Sequence, residues 1–130
     1  MKDKNKFNIL IVDDELDLLE SLCMLLELEN YNIIQSSSGN DALLQVQKNP
    51  NFIDLVLSDI RMANGTGDEL LRNIKKLNLS KPEVILMTGH SLFTKEEALK
   101  EGAYEFLAKP IDFVNLIELI EKVRLKGEEA

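Results

Sequence analysis

The chain is expected to form an α/β domain: a doubly wound, five-stranded parallel sheet in the order 2-1-3-4-5 with helices on both faces. Three features lead there. Five short apolar runs alternate with five stretches of helical periodicity, and each crossover between successive strands returns over the sheet and makes them parallel. Several runs are apolar throughout instead of alternating, the pattern of strands covered on both faces. Four of the runs also end abruptly on a polar group: Asp13-Asp14, Asp59, Thr88 and Lys109.

Asn8-Ile9-Leu10-Ile11-Val12 opens the sheet, its aliphatic and β-branched residues favouring a short buried strand. From Glu15 to Asn30, Leu18, Leu19, Leu22, Leu25 and Leu26 recur at one-turn spacing and are expected on the buried face of a first helix. Asn32–Ser36 is a second strand, and the cluster Ser36-Ser37-Ser38-Gly39-Asn40 turns the chain into a short helix, Asp41–Lys48, that carries Ala42, Leu43 and Val46 inward. Leu55-Val56-Leu57-Ser58-Asp59 is the third strand, and Asn64-Gly65 with Gly67 marks the loop after it. Leu70, Leu71, Ile74 and Leu77 define a third helix, with Asp68 and Glu69 in the first turn, where the helix dipole favours negative charge. Val84-Ile85-Leu86-Met87 follows Pro82 as the fourth strand and ends on Thr88-Gly89. Thr94 and Glu97 have the spacing of a capping box, opening a fourth helix to about Glu101 that Gly102 ends. Tyr104–Ala108 is a fifth strand closed by Lys109-Pro110, and a last helix over Asp112–Lys126 aligns Phe113, Leu116, Ile117, Ile120 and Val123.

With 130 residues, 45% of them hydrophobic and 29% charged, the chain reads as one soluble domain spanning 1-130. A net charge of -8 argues against direct nucleic-acid binding, which draws its affinity from clustered Lys and Arg. No stretch has the length of apolar sequence that a membrane span needs, and Met1–Lys6 lacks the apolar centre of a signal peptide, so a cytoplasmic location is expected. The single cysteine, Cys23, lies within the helical pattern and reads as a core residue.

Parallel strands share one carboxyl edge, so Asp13, Asp14, Asp59, Thr88 and Lys109 converge there although scattered in sequence. Three neighbouring carboxylates repel, and a divalent cation resolves the conflict. Oxygen-only ligands and a loop able to offer a carbonyl point to magnesium, while one histidine and one cysteine cannot make a structural zinc site. Lys109 and Thr88 suit an anion instead. Together these groups form a site for placing a phosphoryl group on Asp59, chemistry that needs positioning and charge neutralisation more than covalent help.

The chain resembles the receiver domain of two-component response regulators from about Phe7 to about Lys126. The resemblance rests on Ile11-Val12-Asp13-Asp14-Glu15, Asp54-Leu55-Val56-Leu57-Ser58-Asp59-Ile60-Arg61-Met62, Ile85-Leu86-Met87-Thr88-Gly89, and Gly102-Ala103-Tyr104-Glu105-Phe106-Leu107-Ala108-Lys109-Pro110, in that order. It implies a CheY-like, flavodoxin-like (βα)5 fold. Asp59 would accept phosphate from a histidine kinase or phosphotransfer protein, with Mg2+ held by Asp13, Asp14, Asp59 and the Arg61 backbone carbonyl. Lys109 would contact the phosphoryl group, Thr88 would be the switch hydroxyl and Phe106 the switch aromatic. Arg61 and His90 would tune the lifetime of the phosphorylated form, and the Lys109-Pro110 bond would be cis. Two departures from the family pattern, Ala63 for a proline and Thr66 for an aspartate, suggest a more mobile loop after Asp59.

Such a domain is a signalling phosphoacceptor that catalyses only its own phosphorylation and dephosphorylation. Its output face is expected around the fourth helix, fifth strand and fifth helix, where Val114, Leu119 and Leu125 widen the apolar arc and suit an effector, an output domain or a phosphorylation-dependent homodimer. Two alternatives stand beside this reading. A phosphatase or mutase would need a second carboxylate two residues after Asp59, where Arg61 stands, and a substrate cap. A degenerate receiver serving as a constitutive interaction module would be expected to lack one of the five polar groups, and all are present.

Overall fold

A computed structural model describes residues 7–89 and 91–129. Its elements run β1 (Asn8–Val12), α1 (Leu16–Leu28), β2 (Asn32–Ser36), α2 (Gly39–Lys48), β3 (Leu55–Asp59), α3 (Gly67–Lys76), β4 (Glu83–Thr88), α4 (Lys95–Lys100), β5 (Glu105–Ala108) and α5 (Phe113–Glu129). The strands are parallel and ordered β2-β1-β3-β4-β5, as the alternation predicts.

Alternation along the strands divides the core in two. Ile9, Ile11, Leu55, Leu57, Ile85 and Met87 face one helical layer, packing with Leu19, Cys23 and Leu26 of α1 and Leu116, Ile120 and Val123 of α5. Leu10, Val12, Val56, Val84 and Leu86 face the other, against Ala42 and Val46 of α2, Leu70, Leu71 and Ile74 of α3, and Ala98 of α4. Burial on both faces explains the unbroken apolar runs. Cys23 is 1% exposed, a core residue as expected.

The helix ends follow local chemistry. The Ser38 side chain accepts from Asp41 N and caps α2, Thr66 with Glu69 closes a capping box on α3, and Thr94 with Glu97 does the same on α4. Gly102, at φ +104°, ends the turn after α4 in a conformation that favours glycine.

Two helical faces differ from their periodicity. In α1, Leu18 and Leu25 are 47% and 44% exposed, while Leu19, Cys23 and Leu26 are buried. Cys23 packs at the centre of the face, which rotates the helix and leaves Leu18 and Leu25 over the surface groove beside α5. In α5, Leu119 belongs to the core, so it is not surplus surface. Its neighbours Val114 and Leu125 remain exposed. The Lys109-Pro110 bond is cis, and so is Lys81-Pro82, which the sequence did not suggest.

Candidate functional site

Strand register brings the polar groups together. Val12 pairs with Ser58, so Asp13 and Asp59 leave the sheet at the same level. Asp59 pairs with Met87, one residue before Thr88, and Thr88 pairs with Ala108, one residue before Lys109. Lys109 N donates to the Thr88 carbonyl at 2.9 Å, which extends the ladder one step beyond the strands.

Asp13, Asp14 and Asp59 each offer a carboxylate oxygen, and the three atoms lie within 4.8 Å of one another. Asp13 and Asp59 are buried and Asp14 is exposed. The Glu15 N–H donates to Asp13 Oδ1 at 3.0 Å. Lys109 Nζ donates to Asp13 Oδ2 at 3.0 Å and stands 3.5 Å from Asp59 Oδ1. It therefore offsets part of the negative charge from one side and leaves the side of Asp14 open to water.

Burial raises the Asp59 pKa above its ordinary value; the Lys109 charge opposes this and the Asp13 charge adds to it. Burial alone would lower that of Lys109, but its bonds and charge attraction to Asp13 and Asp59 raise it overall. The lysine stays protonated because the carboxylates need it. Carboxylate oxygens with one side open suit magnesium, a hard cation that takes oxygen ligands from the protein and keeps places in its shell for water or phosphate.

The loop after Asp59 closes on itself. Gly67 N donates to the Ile60 carbonyl at 2.9 Å, and a Cβ on Gly67 would lie 2.3 Å from the Asp59 carbonyl oxygen. Glycine is required there by close approach. Ala63 N donates to Asp14 Oδ2 at 3.2 Å, so the residue standing where the family has proline uses its N–H to tie the loop to the acidic pair. This bond and the Thr66 capping box fasten the loop at two points.

Of the residues singled out in the sequence, Asp13, Asp14, Asp59 and Lys109 come together as one cluster. Thr88 is buried at the end of β4. Arg61 is exposed on the loop after Asp59. Phe106 is half-buried against the core layer of α3 and α4. His90 lies outside the described residues. A buried cluster at the opposite edge escaped the sequence reading: Asp54, 5% exposed, accepts from Asn8 N at 2.8 Å and from Lys81 Nζ at 2.7 Å. The polar Asp54 directly preceding an apolar strand was the available signal.

A doubly wound sheet whose carboxyl edge gathers three carboxylates, a hydroxyl and a lysine defines a receiver-type signalling domain. Residues 9–121 match the response regulator receiver domain family. The chain belongs to that family and is a receiver domain of two-component response regulators. It is similar to the transcriptional regulatory protein ZraR of Salmonella typhimurium, 43% identical over 119 residues that cover 92% of this chain and 26% of ZraR. The chain thus spans about a quarter of the length of that relative. A receiver domain protein from Clostridium thermocellum superposes with a TM-score of 0.87 at 34% identity, over 94% of this chain and 97% of the other. A chain of the CheX-CheY-BeF3-Mg2+ complex from Borrelia burgdorferi superposes with a TM-score of 0.82 at 28% identity, over 90% and 88%.

Proposed function

We propose that Asp59 accepts a phosphoryl group from the phosphohistidine of a histidine kinase or phosphotransfer protein, in a magnesium-dependent reaction. The observation that carries this reading is the cluster itself: three carboxylate oxygens within 4.8 Å, with Lys109 Nζ 3.0 Å from Asp13 and 3.5 Å from Asp59. Asp13, Asp14, Asp59 and the Arg61 carbonyl would hold the ion. When bound, it supplies charge neutralisation and orients the phosphoryl oxygens.

An Asp59 carboxylate oxygen attacks phosphorus in line with the donor imidazole. A P–O bond forms as the P–N bond breaks, and the electron pair remains on the imidazole nitrogen. Lys109 stays protonated and turns from Asp13 and Asp59 toward a phosphoryl oxygen, and the Thr88 hydroxyl donates to another. The added charge then biases the Thr88 and Phe106 region, so that the face around α4, β5 and α5 signals to an output domain or effector. Hydrolysis of the acyl phosphate, subject to Arg61 and His90, resets the domain. The chain is thus a phosphoacceptor whose chemistry is confined to itself.

Docking of the donor is read from a groove beside the cluster. An apolar pocket of about 470 Å³ lies between α1 and the segment after β5, lined by Leu18, Leu22, Leu25, Pro110, Ile111 and Phe113, with Asp13 and Lys109 also in its wall. An apolar helix laid along it would bring its histidine to Asp59. Among the described residues no helix is long and apolar enough to cross a membrane.

The test is intact mass after incubation with magnesium and a small acyl phosphate, beside Asp59→Asn and a chelator control. One phosphoryl group on the wild type, absent from both controls, is the expected result. A folded wild type that binds magnesium and gains no mass would overturn the reading in favour of a constitutive interaction module.

A further inference from the structure

The start of α2 bears on the acceptor loop. An α-helix leaves its first N–H groups without partners inside the helix. In α2, Asp41 N is taken by the Ser38 side chain, but Gly39 N donates to the Gly65 carbonyl at 3.0 Å and Asn40 N donates to the Asn64 carbonyl at 3.1 Å. Both acceptors belong to the loop that follows Asp59. Asn64 and Gly65 have positive φ, 59° and 105°, the turn that aims their carbonyls at α2.

The approach is too close for any side chain. A Cβ on Gly39 would lie 2.5 Å from the Gly65 carbonyl oxygen, 2.8 Å from its carbon and 3.1 Å from the Thr66 carbonyl oxygen. All are backbone atoms, so relief requires one of the two backbones, the loop or the start of α2, to move. Reaching ordinary contact from 2.5 Å takes about 0.9 Å, since that contact begins at 3.4 Å. The same loop carries Arg61, and it is joined to the acidic pair through Ala63 N and Asp14 Oδ2.

We infer that Gly39, twenty positions before the acceptor and on another element, is a positioning residue for the phosphoacceptor site: its bare backbone sets the loop that carries the Arg61 carbonyl and holds Asp14 through Ala63 N. This rests on the magnesium-dependent reading above. A shift near an ångström is large for an ion that demands near-ideal octahedral geometry, and misplacements of that size cost about 10²-fold in rate.

The test compares Gly39→Ala with Val46→Ala, which weakens the same helix from its core side without approaching the loop. Magnesium affinity is measured by calorimetry without phosphodonor, the phosphorylation rate by intact mass, and stability by thermal melting. Gly39→Ala is expected to bind magnesium about tenfold more weakly and to react about 10–100-fold more slowly, with Val46→Ala binding like the wild type despite its lower melting temperature. In the wild type, magnesium should in turn slow hydrogen exchange at the Gly39 and Asn40 amides, because coupling between two sites is reciprocal. This second measurement decides the matter if Gly39→Ala does not fold. Equal magnesium affinity in Gly39→Ala, a loss that tracks melting temperature in both variants, or exchange at these amides indifferent to magnesium would overturn the inference. Failure of the wild type itself to bind magnesium would instead overturn the functional reading beneath it.

Discussion

Replacing Asp59 by Asn should stabilise the metal-free domain near neutral pH while abolishing its reaction. The side chains are nearly isosteric, so the difference is charge. Carboxylate oxygens within 4.8 Å repel by about 3–4 kcal/mol for each pair at an effective dielectric of about 20. The share from exposed Asp14 is reduced by solvent. Lys109, 3.5 Å away, returns about 4–5 kcal/mol by the same arithmetic. Repulsion and attraction nearly cancel, which leaves the penalty of holding a carboxylate at 6% exposure, effectively several kcal/mol. Asparagine forgoes most of it, and a net gain of about 1–3 kcal/mol is expected after structural relaxation. For 130 residues the unfolding entropy is about 0.27 kcal/mol/K, so melting should rise by about 4–11 °C.

The pH dependence has a definite sign. The folded pKa of Asp59 lies above its ordinary 3.8, so between those two values the native state binds more protons than the unfolded chain. Wild-type stability attributable to this group therefore falls as pH rises through that window, and the advantage of Asp59→Asn grows from about pH 4 upward. Magnesium at about ten times its dissociation constant adds about 1.4 kcal/mol to the wild type and narrows the gap. Thermal melts in chelator at several pH values, repeated with magnesium, read all of this. A variant that melts below the wild type at neutral pH, or an advantage that shrinks as pH rises, would refute the electrostatic account.

Other expectations follow from the packing. Leu119→Ala should cost about 2–5 kcal/mol in denaturant unfolding, whereas Val114→Ala and Leu125→Ala should stay within about 0.5 kcal/mol; equal effects would return Leu119 to the surface. Asp54→Ala leaves Lys81 and Asn8 N without their carboxylate, and because Lys81 is 34% exposed and can turn to water, a loss of about 1–3 kcal/mol is expected in the same assay. Leu25→Glu, at the rim of the groove beside α1, should slow phosphotransfer from a histidine kinase at least tenfold yet leave reaction with a small acyl phosphate unchanged; slowing of both would remove the docking role.

Strand order and the convergence of Asp13, Asp59, Thr88 and Lys109 were legible because both follow from topology. Once the runs are parallel, their last residues share an edge whatever their spacing in the chain. Helical faces were less legible, because periodicity gives the width of an apolar arc and not its rotation. Leucines at 18, 19, 22, 25 and 26 fit several rotations, and small, buried Cys23 selected one. In α5 the arc was wide enough to contain Leu119, which periodicity alone divided from its core neighbours. The Asp54 cluster and the contact of Gly39 with Gly65 were not legible, since each joins residues whose meeting depends on loop paths. Local rules describe Gly39 as part of a turn; only the three-dimensional approach of two backbones makes its missing side chain necessary.

The charged edge is confined between a packed core and a tethered loop. The core behind it is buried on both faces of the sheet, so Asp13 and Asp59 cannot separate to relieve their repulsion without disturbing Ile11, Leu57 and Met87. The loop in front is held by Gly39, Asn40 and Asp14, so it too resists displacement. Lys109 is the adjustable group: a long side chain, 18% exposed and shared between two carboxylates. On the proposed reading, a phosphoryl group on Asp59 would bring more negative charge within its reach, and Lys109 would redistribute its contacts while its neighbours hold their places. Lys109 N also bonds the Thr88 carbonyl, so that redistribution would act at the junction of β4 and β5, the strand that carries Phe106. An electrostatic conflict confined between a packed core and a tethered loop would in this way turn a local charge into a displacement at one side of the sheet.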